Sequence, residues 1–253
     1  MSVAILTTMA FTAQAQFKIT PKIGYTTSTR AVSKNFRDAI EKEGGKIGYV
    51  SGFSFGAAFE LGLGNTISLQ PEILYSQKGA FAKINLFDIP IETTEKLNYL
   101  EVPVLVKASF GDEDGFRFFV YAGPYVGYAL NGKGKVAITF ESETQPGKFE
   151  TITGDYKIKF GEKPANSTNP ASLLEDVQYY SKDDVNRLDI GAYAGAGISI
   201  PVGPGALSLE GRYGYGFTDY QKDPSGIRSK ENLKSQTRSI SVFLGYAIPL
   251  GGN

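Results

Sequence analysis

From Phe17 onward the chain alternates. Phe17, Ile19, Pro21, Ile23 and Tyr25 are apolar, while Lys18, Thr20, Lys22, Gly24 and Thr26 are polar or small, and a period of two predicts a β-strand. Residues 49 to 61 repeat the pattern, with Tyr49, Phe53, Phe55, Ala57, Phe59 and Leu61 against Gly52, Ser54, Gly56, Ala58, Glu60 and Gly62. From 67 to 75 the faces are Ile67, Leu69, Pro71, Ile73 and Tyr75 against Ser68, Gln70, Glu72, Leu74 and Ser76. The apolar phase then moves to even numbers, with Leu100 to Phe110 opposed by Tyr99, Glu101, Lys107 and Ser109, and Phe118 to Leu130 opposed by Arg117, Tyr121, Gly123 and Gly127. Three more segments follow, at 188 to 200, 207 to 217 and 239 to 248, which carry Asp189, Glu210 and Arg212 on their polar faces. Eight such strands predict an all-β fold, and eight is the smallest usual number for a transmembrane barrel.

Alternation alone does not say which face is inward, because a soluble barrel hides its apolar face and a membrane barrel shows it to lipid. The connections decide. Residues 62–65, 111–115 and 201–205 are tight, whereas 28–48, 79–96, 132–187 and 218–236 are long. Short turns on one rim and long loops on the other are the outer-membrane arrangement. Tyr25, Tyr49, Tyr75, Tyr128 and Tyr215 fall on the apolar face toward the long-loop ends, and Phe17, Phe59, Phe110 and Phe118 toward the short-turn ends. These predict two aromatic girdles. The expectation is an eight-stranded antiparallel up-and-down β-barrel with long extracellular loops. It lies in the outer membrane of a diderm bacterium, with the lipid bilayer as its first partner. Pro21, Pro71, Pro103 and Pro124 lie within predicted strands, where each removes a ladder donor, and local bulges are the expected accommodation.

The polar face turned inward carries Glu60, Glu72, Glu101, Asp189 and Glu210 together with Lys18, Lys22, Lys107, Arg117 and Arg212. Five acids and five bases in a narrow interior predict a structural charge network that fills the lumen, because an uncompensated charge is costly to bury. Carboxylate pairs such as Glu72 with Glu101, on neighbouring strands, could do acid/base work, and Lys107, Arg117 and Arg212 nearby point instead to an ion-pair lattice. The chain has no His and no Cys, which removes Ser-His and Cys-His catalysis and His or Cys metal sites. The expectation is therefore a non-enzyme without cofactor or metal. Gly191, Gly195 and Gly197 lack the helix of a dinucleotide fingerprint and read as small interior residues, and Lys133 and Lys135 in "NGKGK" read as a turn. Lys plus Arg and Asp plus Glu number 26 each, so no net field recruits nucleic acid. Met1 to Gln16 are uncharged and run to Ala13-Gln14-Ala15, a small-x-small pattern that predicts a signal peptide cleaved after Ala15, with one barrel domain over 16–253.

The segments "LQPEILYSQKG" at Leu69 to Gly79, "LNYLEVPVLVK" at Leu97 to Lys107, "YAGPYVGY" at Tyr121 to Tyr128 and "LEGRYGYGFTD" at Leu209 to Asp219 resemble the PorT-like outer-membrane β-barrel family. The resemblance implies an eight-stranded outer-membrane barrel. One branch of that family is associated with type IX protein secretion, so a transport or secretion component, as a narrow porin-like pore or an accessory, stands beside a structural or interaction role. Recognition residues gather on loops outside a rigid scaffold, which makes the loops, above all 132–187, the place for a protein or glycan partner. Within that loop Lys135 to Phe140 and Phe149 to Phe160 alternate and predict a hairpin, with the rest as coil. Tyr179-Tyr180 read either as a partner contact or as packing on the rim.

Overall fold

A computed structural model describes residues 17–86, 89–112, 115–142, 147–161, 177–180, 185–222 and 234–250. The predicted leader lies outside the described residues. In chain order the elements are β1 (Phe17–Val32), α1 (Lys34–Lys42), β2 (Lys46–Gly48), β3 (Val50–Gly62), β4 (Ile67–Leu86), β5 (Ile89–Gly111) and β6 (Arg117–Glu141). They continue with β7 (Phe149–Phe160), β8 (Val177–Tyr180), β9 (Leu188–Val202), β10 (Gly205–Asp219) and β11 (Ser235–Leu250). Eight strands close a ring in the order β1-β3-β4-β5-β6-β9-β10-β11, and β1 completes it by pairing antiparallel with β11 from Phe17↔Leu250 to Val32↔Ser235. Each strand of the ring contains one predicted alternating segment.

The apolar face is the outer wall. Ile23, Tyr25, Phe55, Ile73, Val102, Val106, Val126, Leu209 and Leu244 are exposed there, whereas Glu72, Glu101 and Arg212 are buried inside. A wall of large apolar side chains around a polar lumen is stable only against hydrocarbon.

β4, β5 and β6 continue far beyond the ring. The segment 79–96, expected as a loop, instead extends the β4–β5 hairpin from Gly79↔Lys96 to Leu86↔Ile89. The expected hairpin of the third loop is present, with Gly132↔Ile158 through Glu141↔Phe149 joining β6 to β7. Lys133 and Lys135 thus lie in a continuous strand and not at a turn, and Val177–Tyr180, expected as coil, adds a parallel strand to β7. With β2 on the far edge of β4, a six-stranded extension rises from one side of the barrel.

The apolar phase inverts where the extension begins. On β5, Leu100 and Val102 face outward, but Leu97 and Tyr99 are buried on the inner side. On β6 a register shift opposite Asn98/Tyr99 leaves Leu130 as an extra residue, a bulge that turns Val136 inward after Tyr128 and Leu130 had faced outward. The result is a second core above the ring, formed by Leu97, Tyr99, Ala129, Val136, Tyr156, Ile158, Val185 and Tyr220. Water around the extension reverses the sidedness that lipid imposes lower down.

The prolines do not make bulges. Beside Pro21 the β1–β11 ladder passes from Ile19↔Ile248 to Lys22↔Gly245 with the register unchanged, and beside Pro103 and Pro124 the β5–β6 ladder passes from Pro103↔Tyr125 to Val106↔Ala122 in the same way. Pro71 likewise sits in a gap of constant register between Ala58↔Glu72 and Leu61↔Leu69. A skipped pair leaves the inward and outward faces in phase, which a bulge would exchange. Before β2, α1 starts at Ser33, whose hydroxyl accepts from the Phe36 N–H at 3.3 Å.

Candidate functional site in the lumen and its mouth

β6 and β9 set the interior by pairing large residues with glycines. Phe119 lies opposite Gly197, Tyr121 opposite Gly195 and Tyr125 opposite Gly191, while Tyr193 on β9 lies opposite Gly123. A Cβ at Gly191 would sit 2.5 Å from the Tyr125 ring, and one at Gly195 2.5 Å from the Tyr121 ring. Gly191, Gly195 and Gly197 thus leave room for the rings of Tyr125, Tyr121 and Phe119, which is the interior role expected for them.

On this aromatic layer rest two buried ionic clusters. In the first, Lys22 Nζ donates to Glu72 at 3.0 Å and to Glu210 at 2.7 Å. The Arg212 guanidinium donates to both oxygens of Glu72 at 2.8 and 2.9 Å, to Glu210 at 3.2 Å and to the Tyr121 hydroxyl at 3.2 Å. Its Cζ lies about 5 Å from the ring centres of Tyr121, Tyr193 and Phe243, so the cation is held by quadrupoles as well as carboxylates. Two cations meet two anions, the pairing that makes burial of all four tolerable.

In the second cluster Lys78 pairs with Glu101 and lies 3.9 Å from Asp189. The Tyr193 hydroxyl accepts from Lys78 at 2.8 Å and donates to Glu101 at 2.8 Å, and Tyr125 donates to Asp189 at 3.1 Å. Lys78 extends the inward even phase of Glu72, Leu74 and Ser76 by one step, yet it lay past the end of the predicted strand. The balance of five acids and five bases therefore becomes five and six. Glu72 is held by Lys22, Arg212 and the Gln70 amide, and Glu101 by Lys78 and the Tyr193 hydroxyl, so the two belong to separate clusters and do not form a carboxylate pair.

The remaining predicted interior residues lie toward the short-turn rim. Lys107 donates to Glu60 at 2.8 Å, with both side chains slightly open to solvent, and Lys18 is the register partner of Glu60. Arg117 joins these three in the wall of a cavity of about 330 Å³, which also reaches Lys22 and Glu210. Of the predicted tyrosines, Tyr25, Tyr49, Tyr128 and Tyr215 are exposed on the outer wall, and half-buried Tyr75 stacks on Phe55 with ring centres 5.0 Å apart.

At the opposite end lies a further ionic pair that the sequence did not disclose. Arg30 pairs with Glu95 at 2.9 Å and stacks 3.7 Å over Tyr220. Glu95 also accepts from Tyr156 at 3.3 Å and Tyr180 at 3.0 Å, so Tyr180 packs on the rim while Tyr179 lies 6.0 Å from Lys159 Nζ. Burial works against the Arg30 charge, but Glu95 together with Tyr220 and Tyr99 outweighs it and holds the guanidinium above its ordinary value. Burial, and then Glu95, raise the phenols of Tyr156 and Tyr180. Burial pushes Tyr220 up to about 12, with Arg30 opposing.

The family model for the outer membrane protein beta-barrel domain matches residues 12–221. Among solved structures, Neisserial surface protein A is similar at 12% identity and a TM-score of 0.43, covering 92% of this chain and 97% of that one. The outer membrane protein OprG from Pseudomonas aeruginosa is similar at 10% identity and 0.40, covering 94% and 97%. The outer membrane protease OmpT from Escherichia coli is similar at 11% identity and 0.45, covering 96% and 99%. No curated protein matches the chain in sequence.

Proposed function

The chain belongs to the outer membrane protein beta-barrel domain family, and from that premise we propose that it is a non-catalytic integral outer-membrane protein that acts by contact through the sheet raised above the membrane. The filled lumen carries this reading. Lys22, Glu72, Glu101, Asp189, Glu210 and Arg212 are each no more than 5% exposed and are tied to one another across the bore, so a solute passing through would have to break buried ion pairs. The extension, by contrast, has its own core and presents strand faces and edges to the medium, where a protein or glycan partner has access. Purified protein reconstituted in planar bilayers is expected to give no stable conductance, and large stable channels would refute the reading. Deleting residues 140–180 is expected to leave a heat-modifiable barrel, because the ring closes without β7 and β8.

A second reading, a transport or secretion component of the PorT type, draws on the motifs that resemble that family. Those motifs contain Gln70, Glu72, Lys78, Glu101, Lys107, Tyr121, Tyr125, Glu210 and Arg212, which are residues of the lumen lattice. They speak to how such a barrel is filled and leave its role to the loops. Crosslinking in outer-membrane fractions separates the two readings, since recovery of secretion-machine subunits would favour the second.

A further inference from the structure

On the outer face of the extension three lateral rows succeed one another with height. Tyr75, Leu100 and Tyr128 are direct register partners on β4, β5 and β6 and form the top of the apolar wall. Above them Gln77, Asn98 and Asn131 form an amide row, linked side chain to side chain at 3.1 and 2.7 Å. Next, Lys96, Lys133 and Lys157 stand directly opposite one another on β5, β6 and β7. Lys133 and Lys157 are exposed and Lys96 is half-buried. Like charges directly opposed across strands destabilise a sheet, and among the described residues none of the three takes part in a salt bridge. Higher on the same face Lys83 is paired with Glu92 at 3.1 Å, so carboxylates were placed where the fold needed them and not here.

The height of the row suits one kind of counter-ion. Lys96 lies four residues from Leu100, about 13 Å along a strand and about 10 Å of vertical rise at the usual barrel tilt. The polar headgroup layer extends roughly 5–8 Å beyond the hydrocarbon, and lysine stems bend toward it. We propose that Lys96, Lys133 and Lys157 form a binding site for a phosphate-bearing headgroup of an outer-leaflet lipid. The row stands on the same face as the lipid-facing wall, one amide row above it, so a lipid whose chains lie along Tyr75, Leu100 and Tyr128 places its headgroup beneath the three ammonium groups. Lys135 and Lys159 flank the row on the same face; Asp155 is the register partner of Lys135, and Tyr179 lies beside Lys159.

The test uses the full chain in detergent micelles doped with a diphosphorylated glycolipid or its dephosphorylated form, with retained lipid counted by native mass spectrometry. The wild-type chain is expected to prefer the diphosphorylated form by about tenfold or more, a preference that falls with salt. K96Q/K133Q/K157Q is expected to abolish it while the barrel keeps its heat-modifiable mobility. K34Q/K42Q/K46Q, the same loss of charge on α1 and β2, is expected to keep it. Equal retention of both lipids by the wild type, an undiminished preference in the first variant, or an equal loss in the second would overturn the site. Displacement of the lipid by inorganic phosphate at equal concentration would assign it to a free anion and overturn the lipid as its source.

Discussion

Arg212→Met removes one charge from the buried cluster while leaving a side chain of comparable length between Tyr121, Tyr193 and Phe243. Four hydrogen bonds go with the guanidinium, two of them to Glu72. Glu72, fully buried, keeps only Lys22 and Gln70 as partners. Breaking a buried pair by removing one partner costs about 3–5 kcal/mol, because the other charge stays in low dielectric. The double variant E72Q/R212M removes both charges and leaves Lys22 and Glu210 paired at 2.7 Å, so it is expected to cost only about 1 kcal/mol, roughly 2–4 kcal/mol less than the single variant. With a urea slope of about 2 kcal/mol per M, the single variant lowers the unfolding midpoint by about 2 M and the double by about 0.5 M. Reconstituted protein followed by tyrosine fluorescence, the chain having no Trp, and by folded-barrel mobility on gels reads both midpoints. A single variant no less stable than the double would refute the claim that charge pairing, and not packing, holds the lumen. So would a cost no greater than that of Lys107→Met, whose partner Glu60 is 14% exposed.

Three further outcomes follow from the same geometry. Val102→Arg, on the lipid-facing wall, is expected to destabilise the inserted barrel by about 2–4 kcal/mol if near the midplane, whereas Thr94→Arg on the outer face of the extension is expected to cost less than about 0.5 kcal/mol; urea titration in liposomes compares them. Gly134→Val places a Cβ 2.1 Å from the Tyr156 ring, so limited proteolysis is expected to cut the extension faster while the ring keeps its mobility shift, and an unchanged digestion pattern would count against the second core. The Tyr220 phenol is raised from its ordinary value of 10 to about 12; a group with a raised folded value contributes stability that is full below about pH 10 and lost as the pH passes about 12. Phenolate absorbance is expected to show this group titrating late in the folded protein, and titration at pH 10 would contradict its burial.

The ring was legible because lipid on one side and a narrow lumen on the other force a strict period of two. That regularity ended with the lipid. Leu97 and Ile91 fall on the inner side of β5, whereas Leu100 and Val102 fall on the outer, so a fixed apolar phase breaks at residue 99 and the strand above it looks like loop. The same inversion hid the continuity of β6 through "NGKGK", although the shorter alternation of Lys135 to Phe140 with Phe149 to Phe160 stayed visible by itself. Lys78 could have been found by carrying the even phase of β4 one step past Ser76. Arg30 and Glu95 could not, because their meeting depends on the height to which β1 and β5 rise beyond the wall. The prolines misled for a different reason: a missing donor suggests a bulge, but here the strand omits the bond and keeps its register.

Closure of the ring through β1 and β11 sets the order of assembly. The first described strand finds its last neighbour only when Ser235–Leu250 arrives, so every shorter stretch of chain carries unpaired edges on β1 and on its newest strand, with an apolar wall that water does not tolerate. No partial ring is a resting state. Contacts spanning nearly the whole sequence form slowly, and the chain must be kept from pairing with its own copies until its two ends meet in lipid.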